Sequence, residues 1–356
     1  MRGLLLAAII AMAVSLFATR YLIGFFSERG TSQPILGQED RGPDHQHKRG
    51  TPTMGGLAIL VAAFLGYLVA HVLPRITFSN QAIWIFLGIL VMAALGFLDD
   101  FLKVRRQHNR GVLWKLKGYL TIIMSAAIAT PLVLVEHINT RISFTRYDLP
   151  GWKVPTIVWI LLATATIFST TNAVNVTDGL DGLAAGSAIL GFVALSFIAF
   201  WSFRNQDIYG VTKGLGGTIN PLDLAIIAMA FAGACAGFLW WNAAPARIFM
   251  GDVGALGIGA ALALLALTTN TMLLLPIICG LNVIEAGSVG LQMAVFKASG
   301  RKKRLFRLSP IHHHFEKVGW PETTVIIRFW IISGICVALA IGLVLADFGR
   351  FPGKNG

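Results

Sequence analysis

The stretch "QAIWIFLGILVMAALGFLDDFLKVRR", residues 81–106, runs through an uncharged apolar segment at 82–98 and then meets two adjacent aspartates and three cations. A bilayer hydrocarbon core takes roughly 20 apolar residues per helix. The run does not alternate, so it fits a helix and not a strand of a membrane barrel. Working outward, the same pattern recurs at 3–26, 54–74, 117–136, 155–174, 182–201, 222–240, 252–268, 271–296 and 325–347. The expected fold is therefore all-α, a polytopic membrane protein of ten transmembrane helices in one domain, residues 1–356. The first run is too long for a secretory h-region and has no small-residue cleavage site after it, so it is expected to be a retained span.

Composition agrees. Charged residues make up 13% and hydrophobic residues 55% of the chain, with a mean hydropathy of +0.70. Soluble domains carry about 25% charged residues. The net charge of +12 is gathered into short stretches between apolar runs, which fits orientation signals and contacts with anionic lipids or substrates. No nucleic-acid partner is expected. Cys235, Cys279 and Cys336 all lie in apolar runs and have neither a disulfide framework nor metal-ligand spacing.

Lysine and arginine set the orientation. With the N-terminus outside, nineteen of them fall in inner segments and nine in outer ones, Arg20 lying within the first span. Both termini are then periplasmic. On that topology the polar stretches "KRGTPTMGG" (48–56), "DDFLK" (99–103), "NVTDGLDG" (175–182), "NAAPARIFMGD" (242–252) and "PIHHHFE" (310–316) all land on the inner face. One site built from inner loops, about 27–53, 99–116, 175–181, 241–251 and 297–324, is the expectation.

Asp99 and Asp100 close an inward-running span, where the helix dipole disfavours carboxylates and two neighbours repel. Mg²⁺ or lysines, Lys103 among them, are the expected counter-charges. Asp178 and Asp181 in "TDGLDG", and Asp252 in "FMGDVG", open spans; N-capping explains their spacing as readily as a site does. What favours a site is the crowding of Asn172, Asn175, Thr177 and both aspartates at one membrane edge. A carboxylate at a helix N-terminus beside Gly251 and Gly254 suits Mg²⁺ and phosphate. "KRGTPTMGG" adds Lys48 and Thr53 at the mouth of the second span. His312, His313 and His314 are adjacent and lack a nearby cysteine, so zinc is disfavoured; hydrogen bonds to phosphate or sugar oxygens suit them better. Glu285 is the only acid read as lying mid-span. Carboxylates, lysines and histidines at the inner rim of a helical bundle suit phosphoryl chemistry on a lipid.

"KRGTPTMGG", "GFLDDFLKV", "NAVNVTDGLDGLA", "FLWWNAAPARIFMGDVGAL" and "PIHHHFEKVGWPE", in this order, closely resemble the phospho-N-acetylmuramoyl-pentapeptide transferase (MraY) family of polyprenyl-phosphate N-acetylhexosamine-1-phosphate transferases. The resemblance implies Mg²⁺-dependent transfer of phospho-MurNAc-pentapeptide from UDP-MurNAc-pentapeptide to undecaprenyl phosphate, giving lipid I and UMP in peptidoglycan biosynthesis. It implies a multi-pass protein of the bacterial inner membrane in contact with membrane lipids, a homodimer, and an active site facing the cytoplasm. By position it makes Asp252 the metal ligand and assigns Asp99 and Asp100 to the lipid phosphate. Lys103 and Lys117 become the motif lysines, and Asn175, Asp178 and Asp181 the catalytic and nucleoside-side polar group. Lys48, Gly179, Leu180, Asn242 and Phe249 fall in the uridine pocket, and His312, His313 and His314 on the sugar and diphosphate side. Thr121 and Ala255 depart from the family pattern, which has glutamine and serine there. The alternatives are a sister enzyme using UDP-GlcNAc and an ion-coupled transporter.

Overall fold

The computed structural model describes residues 1–29, 48, 50–73, 75–106, 111–209 and 220–350. Of the basic residues that set the orientation, Arg41, Arg49, Arg110, Lys213 and Lys354 lie outside the described residues, as does most of the 27–53 loop. In chain order the elements are α1 (Arg2–Glu28), α2 (Gly56–Val72), α3 (Asn80–Arg106), α4 (Trp114–Leu134), β1 (Arg141–Arg146), β2 (Leu149–Lys153), α5 (Thr156–Thr177) and α6 (Leu183–Arg204). There follow α7 (Gln206–Tyr209), α8 (Pro221–Asn242), α9 (Gly251–Thr268), α10 (Leu275–Ile278), α11 (Gly280–Ala298), α12 (Ile311–Val318) and α13 (Glu322–Phe348). Eight of these helices, α1, α3, α4, α5, α6, α8, α9 and α13, are long and apolar enough to cross a membrane, and α2 is a shorter apolar helix. The protein is a polytopic helical membrane protein.

The fold is all-α but for one feature, and two boundaries change. First, β1 and β2 add a short antiparallel hairpin with Arg141 opposite Lys153. Its segment "RISFTR" places Ser143 and Thr145 on the buried side, a period of two that a search for apolar runs passes over. Second, α3 continues to Arg106, so Asp99 and Asp100 sit inside a helix and not at its C-terminus. Third, the 271–296 run is broken into α10 and α11 at Cys279. Pro276 in the first turn of α10 and Gly280 at the start of α11 suit that break.

The core is organised around α9, whose residues Val253 to Thr268 are all buried. It packs against α3, α5 and α2, while α8 packs against α1 and α6. Lipid tails are as apolar as leucine, so helices associate here through close packing of small residues. A Cβ built on Gly56 would lie 2.2 Å from the Gly254 Cα, and one on Gly96 would lie 2.2 Å from the Asp252 carbonyl oxygen. These two approaches bring α2 and α3 against the first turn of α9, and with α3 its aspartates Asp99 and Asp100. On the opposite rim the ends are tied by polar pairs. His71 Nε2 lies 2.9 Å from Asp223 Oδ1, both side chains being fully buried, and Thr145 donates to Asp347 at 2.8 Å.

Candidate active site

Three carboxylates meet where α3 touches the start of α9. Oxygens of Asp99, Asp100 and Asp252 lie within 4.8 Å of one another. Asp99 and Asp100 are buried and Asp252 is partly so. Such a group holds together only with cations, since like charges at this separation in a poor solvent repel strongly. Two lysines supply them. Lys103 Nζ is 2.7 Å from Asp99 Oδ2 and 2.8 Å from Asp252 Oδ2; it lies on the same face of α3 as Asp99, four residues on. Lys117 reaches in from the first turn of α4, 3.2 Å from Asp99 Oδ2, and bonds Asp252 Oδ2 as well.

Neutral donors complete the shell. Asn175 Nδ2 donates to Asp252 Oδ1 at 2.9 Å, the Val112 N–H to Asp99 Oδ1 at 2.7 Å, and the Val253 N–H to Asp100 Oδ2 at 3.1 Å. None of the candidate aspartates acts as an N-cap: α9 is preceded by Met250 and α6 by Gly182, neither with a side-chain cap. Asp178 instead ends α5. Burial first, then the nearby carboxylates of Asp252, Asp100 and Asp181, push its carboxyl up to about 8, which lets it carry a proton at neutral pH.

A second polar group adjoins the first. Lys48 Nζ bridges Asp181 Oδ1 at 2.8 Å and Glu322 Oε1 at 2.6 Å. The Ala246 N–H donates to the other oxygen of Asp181 at 2.9 Å. Asn242 accepts from the Gly182 N–H and donates to the Ile248 carbonyl, so both ends of its amide hold backbone. Phe249 exchanges backbone hydrogen bonds with Pro52 and Gly55, pinning the 52–55 turn beside Gly251. The buried Thr53 hydroxyl, which has no hydrogen-bond partner among the described residues, faces Gly251 where Asp100 also does. Leu180 is buried in an apolar cluster with Leu183, Leu281 and Val325, and Gly179 packs against His312.

The histidine stretch is α12. His312 is fully buried and its Nδ1 lies 2.9 Å from Glu285 Oε2. His313 Nδ1 is 2.7 Å from Glu316 Oε2, and His314 Nδ1 accepts the Arg307 N–H at 3.1 Å. The three rings therefore point to different partners, as adjacent helical positions must. Two acids escaped the sequence reading as site members. Glu322 lies within "GWPE", where nothing in its spacing marks it out, and the fold brings it to Lys48. Glu285 falls in the middle of the 271–296 run, and in the structure its Oε2 pairs with His312 of α12 while Asn282, nearly one turn earlier, bonds Thr177 Oγ1 at the end of α5 at 3.0 Å.

Oxygen-only donors in a tight group suit a hard cation such as Mg²⁺, and cations beside them suit phosphate. A helical membrane bundle with that pairing at one rim falls in the class of membrane-embedded sugar-phosphate transferases. Residues 82–270 match the model of glycosyl transferase family 4, and residues 48–60 match phospho-N-acetylmuramoyl-pentapeptide-transferase signature 1. The chain is 45% identical to the phospho-N-acetylmuramoyl-pentapeptide-transferase of Frankia alni, 46% to that of Frankia casuarinae and 41% to that of Mycobacterium bovis, each over 98% of both chains. The chain belongs to the phospho-N-acetylmuramoyl-pentapeptide-transferase family within glycosyl transferase family 4.

Proposed function

We propose that this transferase moves phospho-MurNAc-pentapeptide from UDP-MurNAc-pentapeptide to undecaprenyl phosphate, forming lipid I and releasing UMP. The observation that carries the reading is the gathering of Asp99, Asp100 and Asp252 about Lys103 and Lys117 at one rim of the bundle, in a chain of this family. The protein crosses the bacterial inner membrane ten times as a single domain, α2 and α11 adding to the eight longer helices. Both termini are periplasmic, the site opens to the cytoplasm, and the chain works as a homodimer. The excess of lysine and arginine in the segments on the site's side supports this orientation.

In the reaction an oxygen of the lipid phosphate forms a bond to the sugar-bearing phosphorus, and the bond from that phosphorus to the bridging oxygen breaks, its electrons leaving with UMP. Asp99 and Asp100 hold the lipid phosphate end through Lys103 and Lys117, whose charges offset those of the phosphates. Asp252 would be the metal ligand, and Asp99 and Asp100, with oxygens within 4.8 Å, could help to hold the ion. Mg²⁺, when bound, neutralises phosphate charge and polarises the bond to be broken. Asn175 fixes the rotamer of Asp252. Lys48, Thr53, Asp178, Gly179, Leu180, Asp181, Asn242 and Phe249 form the nucleoside side, and His312, His313 and His314 the sugar and diphosphate side.

The test is UMP release by purified protein. It should require UDP-MurNAc-pentapeptide, undecaprenyl phosphate and Mg²⁺ together. Equal turnover of UDP-GlcNAc would move the reading to the sister activity, and solute uptake by proteoliposomes without product would move it to transport.

A further inference from the structure

We propose that Glu285 is a positioning residue for the nucleotide-sugar side of the site, holding His312, and with it α12, against Gly179; this rests on the transferase reading above. Glu285 and His312 are both fully buried and joined at 2.9 Å between Oε2 and Nδ1. A buried carboxylate in an apolar helix is costly unless a partner takes its charge, and no lysine or arginine is paired with it among the described residues. With Glu285 Oε2 as the acceptor, the ring proton sits on Nδ1, which fixes the tautomer and leaves Nε2 as the free acceptor. That nitrogen has no hydrogen-bond partner among the described residues. It is directed at Gly179: a Cβ built there would lie 2.3 Å from it. Only glycine admits this approach, so the ring and the 178–181 turn are in register.

Two further side chains of α11 act in the same sense. Asn282, nearly one turn earlier, bonds Thr177 at the end of α5 at 3.0 Å. Gln292, two turns later, accepts from the Leu305 and Phe306 N–H groups at 3.0 and 2.9 Å and donates to the Phe306 carbonyl at 3.2 Å. The polar residues of α11 thus hold the end of α5, the histidine helix and the chain leading into that helix. Glu285 is the only one of the three whose partner is a histidine of the site.

The experiment compares Glu285→Met, which keeps the volume and removes the acceptor, with Glu285→Gln, which keeps both. Glu285→Met should raise KM for UDP-MurNAc-pentapeptide by about tenfold, the order expected for loss of one buried hydrogen bond to a charged group. The KM for undecaprenyl phosphate should hold and kcat should fall less than KM rises. Glu285→Gln should restore KM to within about threefold. Amide hydrogen exchange, which needs no substrate, should quicken across 311–318 and 178–181 in Glu285→Met and not in Glu285→Gln. If Glu285→Met does not fold, Glu285→Asp, one methylene short, should give the same exchange pattern. Wild-type KM and wild-type exchange in the Met or Asp variant would overturn the proposal. A wild-type protein that releases no UMP would overturn the transferase reading, and the exchange data would still decide the role of Glu285.

Discussion

Lys117 of α4 and Asn175 of α5 both bond Asp252, on its Oδ2 and Oδ1 respectively, so two helices distant in sequence grip the two oxygens of one carboxylate. That grip fixes the direction in which Asp252 presents its charge, and it makes the first prediction one about the carboxylate itself.

Asp252→Asn keeps the shape and the hydrogen bond from one side while removing the charge that pairs with Lys103 and Lys117. Turnover should fall by about a hundredfold or more, the order seen when a group acting on developing charge is lost. The protein should still insert and elute as wild type. Near-normal UMP release by this variant would remove Asp252 from the centre.

Lys48 bridges Asp181 and Glu322 away from the carboxylate centre. Lys48→Met should raise KM for the nucleotide sugar by about ten- to a hundredfold with a smaller change in kcat, since losing a charged hydrogen bond costs about 1.5–3 kcal/mol. Steady-state kinetics at saturating lipid decide it; an unchanged KM would detach this bridge from substrate.

Gly96 lies against the Asp252 carbonyl, with 2.2 Å available to an added Cβ. Gly96→Ala must push α3 from α9 and should cost about 1–3 kcal/mol of stability. Because Asp99 and Asp100 ride on α3, activity should fall even at temperatures where the variant stays folded. Thermal unfolding in detergent alongside UMP release tests both halves.

Asp178 has its carboxyl pushed up to about 8, against an ordinary 3.8. Between those values the folded protein binds a proton that the unfolded chain has released, so metal-free protein loses stability as pH rises through that window. Asp178→Asn removes this contribution. Melting temperatures at pH 5 and pH 8 in chelator should differ less in the variant than in the wild type.

His71 and Asp223 form a fully buried pair at the rim away from the site, and Asp223 also accepts the Ser79 N–H at 2.8 Å. His71→Leu leaves the carboxylate buried without its partner and should destabilise by about 3–5 kcal/mol. At a temperature where the variant is still folded, KM for the nucleotide sugar should stay as in wild type, because the pair touches nothing in the site.

Much of this protein follows from one-dimensional pattern. Apolar runs of bilayer length dictate helices because an unpaired backbone has no partner in hydrocarbon. Polar stretches between them mark the site because ionisable residues at a membrane edge are costly without a role. Asp99, Asp100, Lys103, Asn175 and Asp252 were legible in this way, and they do come together. The hairpin 141–153 was not, since its period of two carries little apolar signal. Nor was the pairing of Glu285 with His312, which depends on how α11 and α12 pack.

Other features had to wait for the fold. Spacing could not separate N-capping from a site at Asp178, Asp181 and Asp252; the positions of Met250 and Gly182 before their helices removed N-capping. The sequence by itself determined that this is a helical membrane protein with its acids, cations and histidines gathered in a few stretches, because hydropathy and charge act locally along the chain. Only the tertiary structure decided that Lys103 and Lys117 share Asp99 and Asp252, that Lys48 joins Asp181 to Glu322, and that His312 is held by Glu285. Those pairings depend on which helices touch, and that is set by the close approach of small residues such as Gly56, Gly96 and Gly254, whose partners lie far away in the chain.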